Sequence, residues 1–147
     1  MVSICNEDII RAEETLLKKG QSFDDERRDF IKNLETIDLQ AVPGSGKTTA
    51  LLAKLLILEK KSPLPNNKAV LVISHTNAAV DEIKDRIGHL CPKLFSHPNF
   101  VGTIQSFVDT FLAIPAYLLK YRQKPVRIDN EIYNETISKF FNYGKKD

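Results

Sequence analysis

Ala41-Val42-Pro43-Gly44-Ser45-Gly46-Lys47-Thr48-Thr49 has the spacing of a phosphate-binding loop, and its reading decides the fold. Thr36-Ile37-Asp38-Leu39-Gln40 before it suits a short buried strand. Ala50-Leu51-Leu52-Ala53-Lys54-Leu55-Leu56-Ile57-Leu58 after it is strongly helix-forming. Strand, glycine loop and helix is the context this motif requires. Gly44 and Gly46 let backbone N–H groups curl around a phosphate, and the helix N-terminus adds its positive dipole end. Lys47 supplies a mobile cation for the phosphates, and Thr48 offers a hydroxyl to Mg²⁺. The general pattern is G-x-x-x-x-G-K-S/T, and Ala41 stands at its first glycine.

The rest of the chain alternates strands with helices. Asn6 to Lys19 suits a helix ending at Gly20, with Ile9, Ile10, Leu16 and Leu17 as its buried stripe. Ser22-Phe23-Asp24-Asp25-Glu26 reads as a cap and an acidic first turn, opening a helix that runs to about Asn33. Lys60 to Asn67 is a loop with two prolines. Ala69-Val70-Leu71-Val72-Ile73-Ser74, rich in β-branched residues, suits a strand covered on both faces. Asn77 to Ile87 follows as a helix with Ala79, Val80, Ile83 and Ile87 on one face and Gly88 closing it. Phe100 to Thr103 is a further strand, and Gln105 to Leu112 a helix punctuated by Pro115. Val126 to Asp129 reads as a strand, Asn130 to Phe141 as an amphipathic helix, and the end of the chain as a frayed tail. This order predicts an α/β domain with a mostly parallel sheet flanked by helices. Ligands of such sheets sit beyond the carboxyl ends of the strands, which points to the phosphate loop, Ser74 to Asn77, and Gly102 to Ser106.

Composition bounds the function. The chain has 147 residues, 42% hydrophobic and 27% charged, an ordinary globular balance. A net charge of +2 is too small to argue nucleic-acid binding by itself. The two cysteines, Cys5 and Cys91, suit reduced thiols. No stretch is apolar enough to span a membrane, and the acidic N-terminus lacks a signal core, so a cytoplasmic location is expected. His89, Cys91 and His97 match no zinc spacing and read as loop residues. Lys18-Lys19 and Lys60-Lys61 read as solvated charges, and Tyr117, Leu118 and Tyr121 as core.

Three segments in this order resemble the UvrD/Rep-like group of superfamily 1 helicases. Ala41 to Thr48 fits that group's A-x-x-G-x-G-K-T loop. Ser74-His75-Thr76-Asn77-Ala78-Ala79-Val80-Asp81-Glu82-Ile83 is similar to motif Ia, and Val101-Gly102-Thr103-Ile104-Gln105-Ser106-Phe107 to motif Ic. The resemblance implies a P-loop, RecA-like fold over residues 1–113, an incomplete domain, with 114–147 the start of an inserted helical subdomain or a truncated tail. It implies ATP and Mg²⁺ as cofactors, held by Ala41, Pro43, Gly44, Ser45, Gly46, Lys47, Thr48 and Thr49, with Lys47 and Thr48 the catalytic pair and Thr48 on the metal. It implies single-stranded DNA along His75, Thr76, Asn77, Thr103, Gln105 and Ser106. Capping of the following helices is the alternative use of Thr76, Asn77, Thr103 and Ser106.

Two departures matter. The family's adenine-reading glutamine falls at Arg27, which can stack or donate but cannot accept from an amino group, so little base discrimination is expected from it. A second acidic motif and the transition-state arginines are not found: Asp81-Glu82 falls inside a predicted helix, and Arg127 to Glu131 fits no better. The chain is therefore expected to be the ATP-binding portion of an ATP-dependent DNA helicase or translocase, inactive alone and weak on DNA. The alternatives are a non-hydrolysing nucleotide-binding module that acts through a partner chain, and a small P-loop kinase, for which no lid or acceptor site is apparent.

Overall fold

The computed structural model describes residues 2–39, 46–126, 132 and 135–139. Gln40 to Ser45, most of Val126 to Asp129, and much of the helix and tail expected after Asn130 lie outside the described residues. The chain divides into two compact units, Met1–Ile104 and Gln105–Asp147.

The first unit is built on one helix. α3 (Lys47–Lys60) buries Ala50, Leu52, Ala53, Leu55, Leu56 and Ile57, so it is apolar nearly all round, the mark of a central helix. α1 (Asn6–Leu16) and α2 (Asp25–Lys32) both pack on it. α1 contributes Ile9 and Ala12, whereas Ile10, expected inward, is 45% exposed. At 3.6 residues per turn, Ile9, Ala12 and Glu13 share a face and Ile10 falls beside it. α1 ends at Leu16, short of the expected Lys19.

α1 is tied to the far end of α3 through Asp8. Its carboxylate accepts from the Cys5 amide at 3.0 Å, capping α1, and from Lys61 Nζ at 2.8 Å. Lys61 is thus an anchoring partner rather than a solvated charge.

β1 (Leu71–Ser74), α4 (Asn77–Ile87) and β2 (Phe100–Thr103) form a strand–helix–strand unit, with β1 and β2 parallel and Ser74 beside Thr103 at their carboxyl ends. The connection contains a helix, as parallel strands require. Val80, Ile83 and Ile87 are the buried residues of α4, Ile83 and Ile87 join the core, and Gly88 follows as the cap. Val70, Val72 and Val101 pack on that core from the strands. The architecture is α/β with a small parallel sheet and helices.

Two strand expectations are corrected. β1 is covered on one face only: Leu71 is 54% exposed and Ile73 42%, because alternate side chains point away from α3 and α4 toward a face that no described element of this unit covers. Residues 36–39 form no strand, and Ile37 and Leu39 are exposed rather than buried. A strand exists only through a paired neighbour, and among the described residues the sheet consists of β1 and β2 alone.

The second unit is helical from Gln105 to Tyr121. α5 (Ile104–Val108) begins at its boundary and runs into a π-helical stretch, Asp109–Ala113, then α6 (Ile114–Tyr121). Pro115 does not end the helical path. It sits in the first turn of α6, where its missing N–H costs little. Phe107 packs at a tilt against Phe111, and Tyr117 against Tyr121, with centroids 4.9 and 4.5 Å apart. α6 buries none of its residues, so the core role expected of Tyr117, Leu118 and Tyr121 is not met.

Candidate functional site

The site grows from the turn between α1 and α2. The Gln21 amide donates to the Lys18 carbonyl at 3.0 Å, and Gly20 between them has φ of +84°. That is the signature of a type II turn, which needs glycine at this place. Phe23 then plugs into the core. Its amide donates to buried Glu13 Oε1 at 2.8 Å, and its carbonyl accepts from Arg28 Nε at 3.0 Å. Arg28 Nη2 donates to both Glu13 oxygens, at 2.8 and 3.0 Å. A buried carboxylate is thereby fully paired, and the turn is fixed at both ends.

α2 follows with Asp24 as its cap. Asp24 Oδ1 accepts from the Arg27 amide at 2.9 Å, and Oδ2 accepts from Arg27 Nη1. The cap and the ion pair together hold the Arg27 guanidinium against Gly46. A Cβ built on Gly46 would lie 3.4 Å from Arg27 Nε. Gly46 caps α3 with φ of +80°, a left-handed conformation strained for any other residue. The other end of α2 is held by Lys54, whose Nζ donates to the Phe30 and Asn33 carbonyls and lies 4.7 Å from the Phe30 ring centre. Burial lowers the Lys54 pKa.

Lys47, Thr48 and Thr49 form the half-buried first turn of α3. The Ala50 amide takes the Gly46 carbonyl at 3.1 Å, so the preceding amides have no acceptor inside the helix. Arg86, from the last turn of α4, donates from Nη2 to Thr49 Oγ1 at 3.1 Å and lies 3.6 Å from Glu82. Two guanidinium groups, Arg27 and Arg86, therefore flank the start of α3. The sequence reading placed Arg27 there and missed Arg86, whose nearness depends on how α4 packs.

Other expected site residues divide between the units. Ala41, Pro43, Gly44 and Ser45 lie outside the described residues. His75, Thr76 and Asn77 follow β1, all exposed, and Thr103 ends β2. Thr76 caps α4, its Oγ1 accepting from the Ala79 amide at 3.3 Å. Gln105 and Ser106 belong to the second unit, where Gln105 Nε2 donates to Asp109 at 3.0 Å. Asp81 and Glu82 lie inside α4, as expected, and Glu82 faces Arg86.

Cys91 is fully buried, and burial together with the Glu59 carboxylate pushes its thiol up to about 11. Such a thiol is an unreactive packing group. Among the described residues no three His, Cys, Asp or Glu side chains are placed to hold a metal ion. No helix among them is long and apolar enough to cross a membrane.

The UvrD/REP helicase N-terminal domain model matches residues 24–146. The chain belongs to the UvrD/REP helicase family. It is 34% identical over 92 residues to the Gabija protein GajB of Bacillus cereus (strain VD045), covering 60% of this chain and 17% of that protein. It is 34% identical over 135 residues to a subunit of the ATP-dependent helicase/nuclease of Bacillus cereus (strain AH820), covering 80% of this chain and 11% of the relative. The same figures hold for the corresponding helicase/nuclease protein of Bacillus thuringiensis (strain Al Hakam). The chain thus spans 11–17% of the length of these relatives. No solved structure matches it.

Proposed function

We infer that this chain is the ATP-binding portion of a UvrD-like, ATP-dependent DNA helicase or translocase. Residues 1–113 are read as part of its RecA-like P-loop domain and 114–147 as the start of a helical insertion or a truncated tail. The observation that carries the reading is the left-handed Gly46 at the head of α3, followed at once by Lys47 and Thr48. This arrangement fits a nucleotide phosphate. The amides of the first turn and the helix dipole favour an anion. Lys47 then balances phosphate charge, and Thr48 offers its hydroxyl to Mg²⁺. When bound, the metal would neutralise charge that builds on the phosphates. Ala41, Pro43, Gly44 and Ser45 would complete the cradle, and Thr49 and Arg27 would border it. Exposed His75, Thr76 and Asn77 beyond β1, with Thr103, Gln105 and Ser106, are the proposed contacts to single-stranded DNA. The names of the relatives support helicase activity for the whole protein, and a soluble, cytoplasmic setting accords with it.

A non-hydrolysing module completed by a partner chain is the second reading. Exposed Ile37, Leu39, Leu71 and Ile73 favour it, because they leave an apolar face and an unpaired segment for other polypeptide to cover. The test is phosphate release by the purified chain with and without single-stranded DNA. ATP binding without DNA-stimulated release is expected. Stimulated hydrolysis that disappears in Lys47→Ala would show that the chain acts alone and would overturn both the fragment reading and the partner reading.

A further inference from the structure

α1 and the end of α3 line a pocket of about 200 Å³ that presents Asp8, Arg11, Lys60 and Lys61, with buried Ala12 and Ile57 also in its wall. It lies at the opposite end of α3 from Gly46, about 20 Å away at 1.5 Å per residue. We propose that this pocket binds a phosphate group, as a second anion site separate from the start of α3. It is independent of the nucleotide reading of Gly46 and Lys47.

The charge balance of the pocket carries the assignment. Three cations meet one carboxylate, and that carboxylate is already satisfied. Asp8 accepts from Lys61 Nζ at 2.8 Å, from the Cys5 amide at 3.0 Å and from the Cys5 thiol at 3.2 Å. Lys61 is engaged in that pair, which leaves Arg11 and Lys60. Among the described residues neither has an ion-pair partner, whereas Arg27, Arg28 and Arg86 each have one. Glu7 and Glu14 stand about a turn to either side of Arg11 on α1 and do not pair with it. Glu59, beside Lys60, is buried and accepts from the Lys93 amide at 3.0 Å.

Two uncompensated cations match a phosphate group. Arginine presents a planar fork to two phosphate oxygens, and lysine a point charge. Apolar atoms in the wall keep the local dielectric low, and a one-signed cleft with such walls concentrates counter-ions. The negative end of the α3 dipole, about half a charge, opposes an anion, but two full charges outweigh it. Carbonyls of that end are also occupied, Ile57 by the Lys61 amide and Glu59 by the Ser62 amide, both at 3.1 Å. The pocket is smaller than the ~300–1,000 Å³ of sites for whole organic ligands, so it suits a single phosphate. That phosphate can be a free ion or one unit of a nucleic-acid backbone, since both present the same oxygens.

The test follows backbone amide signals by NMR during titration with sodium phosphate, with sodium chloride at equal ionic strength, and with an oligothymidylate. Lys47→Ala is the background, so that the other end of α3 does not contribute. It is compared with the same protein carrying Arg11→Gln and Lys60→Gln. Both residues are exposed, so these changes leave the core intact, and unshifted signals from buried residues check this. Phosphate should shift the amides of residues 11–12 and 56–61 saturably, and chloride should not. Arg11→Gln with Lys60→Gln should weaken that binding at least about tenfold, the effect of losing one charged contact or more. The same shifts with the oligonucleotide would assign a nucleic-acid backbone, and shifts with phosphate alone would assign a free phosphate. No shift with either ligand, equal shifts with chloride, or undiminished binding in the Arg11→Gln, Lys60→Gln protein would overturn the site and leave the reading of Gly46 standing.

Discussion

Replacing Glu13 by Ala should loosen the turn that carries Gln21 and Arg27. Glu13 is 7% exposed and accepts three hydrogen bonds: one from the Phe23 amide and two from Arg28 Nη2. Truncation leaves a buried amide without its acceptor and a guanidinium without its counterion. Removing one partner of a fully buried pair costs about 3–5 kcal/mol. The Arg28 side chain keeps 26% of its surface in water and can be partly rehydrated, so the cost falls at or below the lower end of that range. A loss of about 2–3 kcal/mol is expected, consistent with charged hydrogen bonds of ~1.5–3 kcal/mol. With a urea slope of about 1–3 kcal/mol/M, the unfolding midpoint should fall by roughly 0.7–3 M at unchanged slope. Glu13→Gln keeps an acceptor for Phe23 and should lose about half as much. Arg28→Ala combined with Glu13→Ala should cost less than the sum of the two, because they share the same bonds. A Glu13→Ala loss below about 0.5 kcal/mol, the level of an ordinary surface substitution, would refute the lock.

Three further outcomes follow from the same structure. Burial raises the Asp8 pKa, but Lys61 and the Cys5 amide and thiol outweigh it and bring it down to about 2 from 3.8. A lowered carboxyl pKa adds stability that is present above pH 3.8 and lost as pH falls toward 2, about 1 kcal/mol after solvent screening, and Lys61→Ala should remove most of that dependence in denaturation at pH 5 and pH 2.5. With its thiol pushed up to about 11 and no exposed surface, Cys91 should resist a thiol reagent at pH 8 that modifies exposed Cys5, so one fast equivalent is expected in the folded chain and two after unfolding. Lys54→Met should weaken the α2–α3 contact by about 1–2 kcal/mol, because two carbonyls at the end of α2 lose their donor, and the urea midpoint measures it.

Local signals made much of this architecture readable. The caps of α2 and α4, the amphipathic face of α4 and the strand–helix–strand order of residues 71–103 were set by short-range patterns. So was the helix that opens at Lys47. What escaped depends on neighbours distant in the chain. Thr36 to Leu39 carries a strand-like sequence, yet a strand needs a ladder partner, and none is present among the described residues. Leu71 and Ile73 have the composition of a doubly covered strand, but composition does not supply the second layer. Pro115 reads as a stop because the pattern contains no sign of the π-helical stretch before it, which places proline in a first turn. At the candidate site, Arg27 was visible from its offset to the loop. Arg86 was not, because the packing of α4 brings it to the head of α3.

Nucleotide binding at the start of α3 is measured directly by calorimetric titration of the chain with ATP and Mg²⁺. Wild type should bind, and Lys47→Ala should bind at least tenfold more weakly, since a loss of about 1.4 kcal/mol or more is the expected effect of removing a charged phosphate contact. Equal affinity of the two proteins would contradict the assignment of Lys47 and, with it, the phosphate site at Gly46.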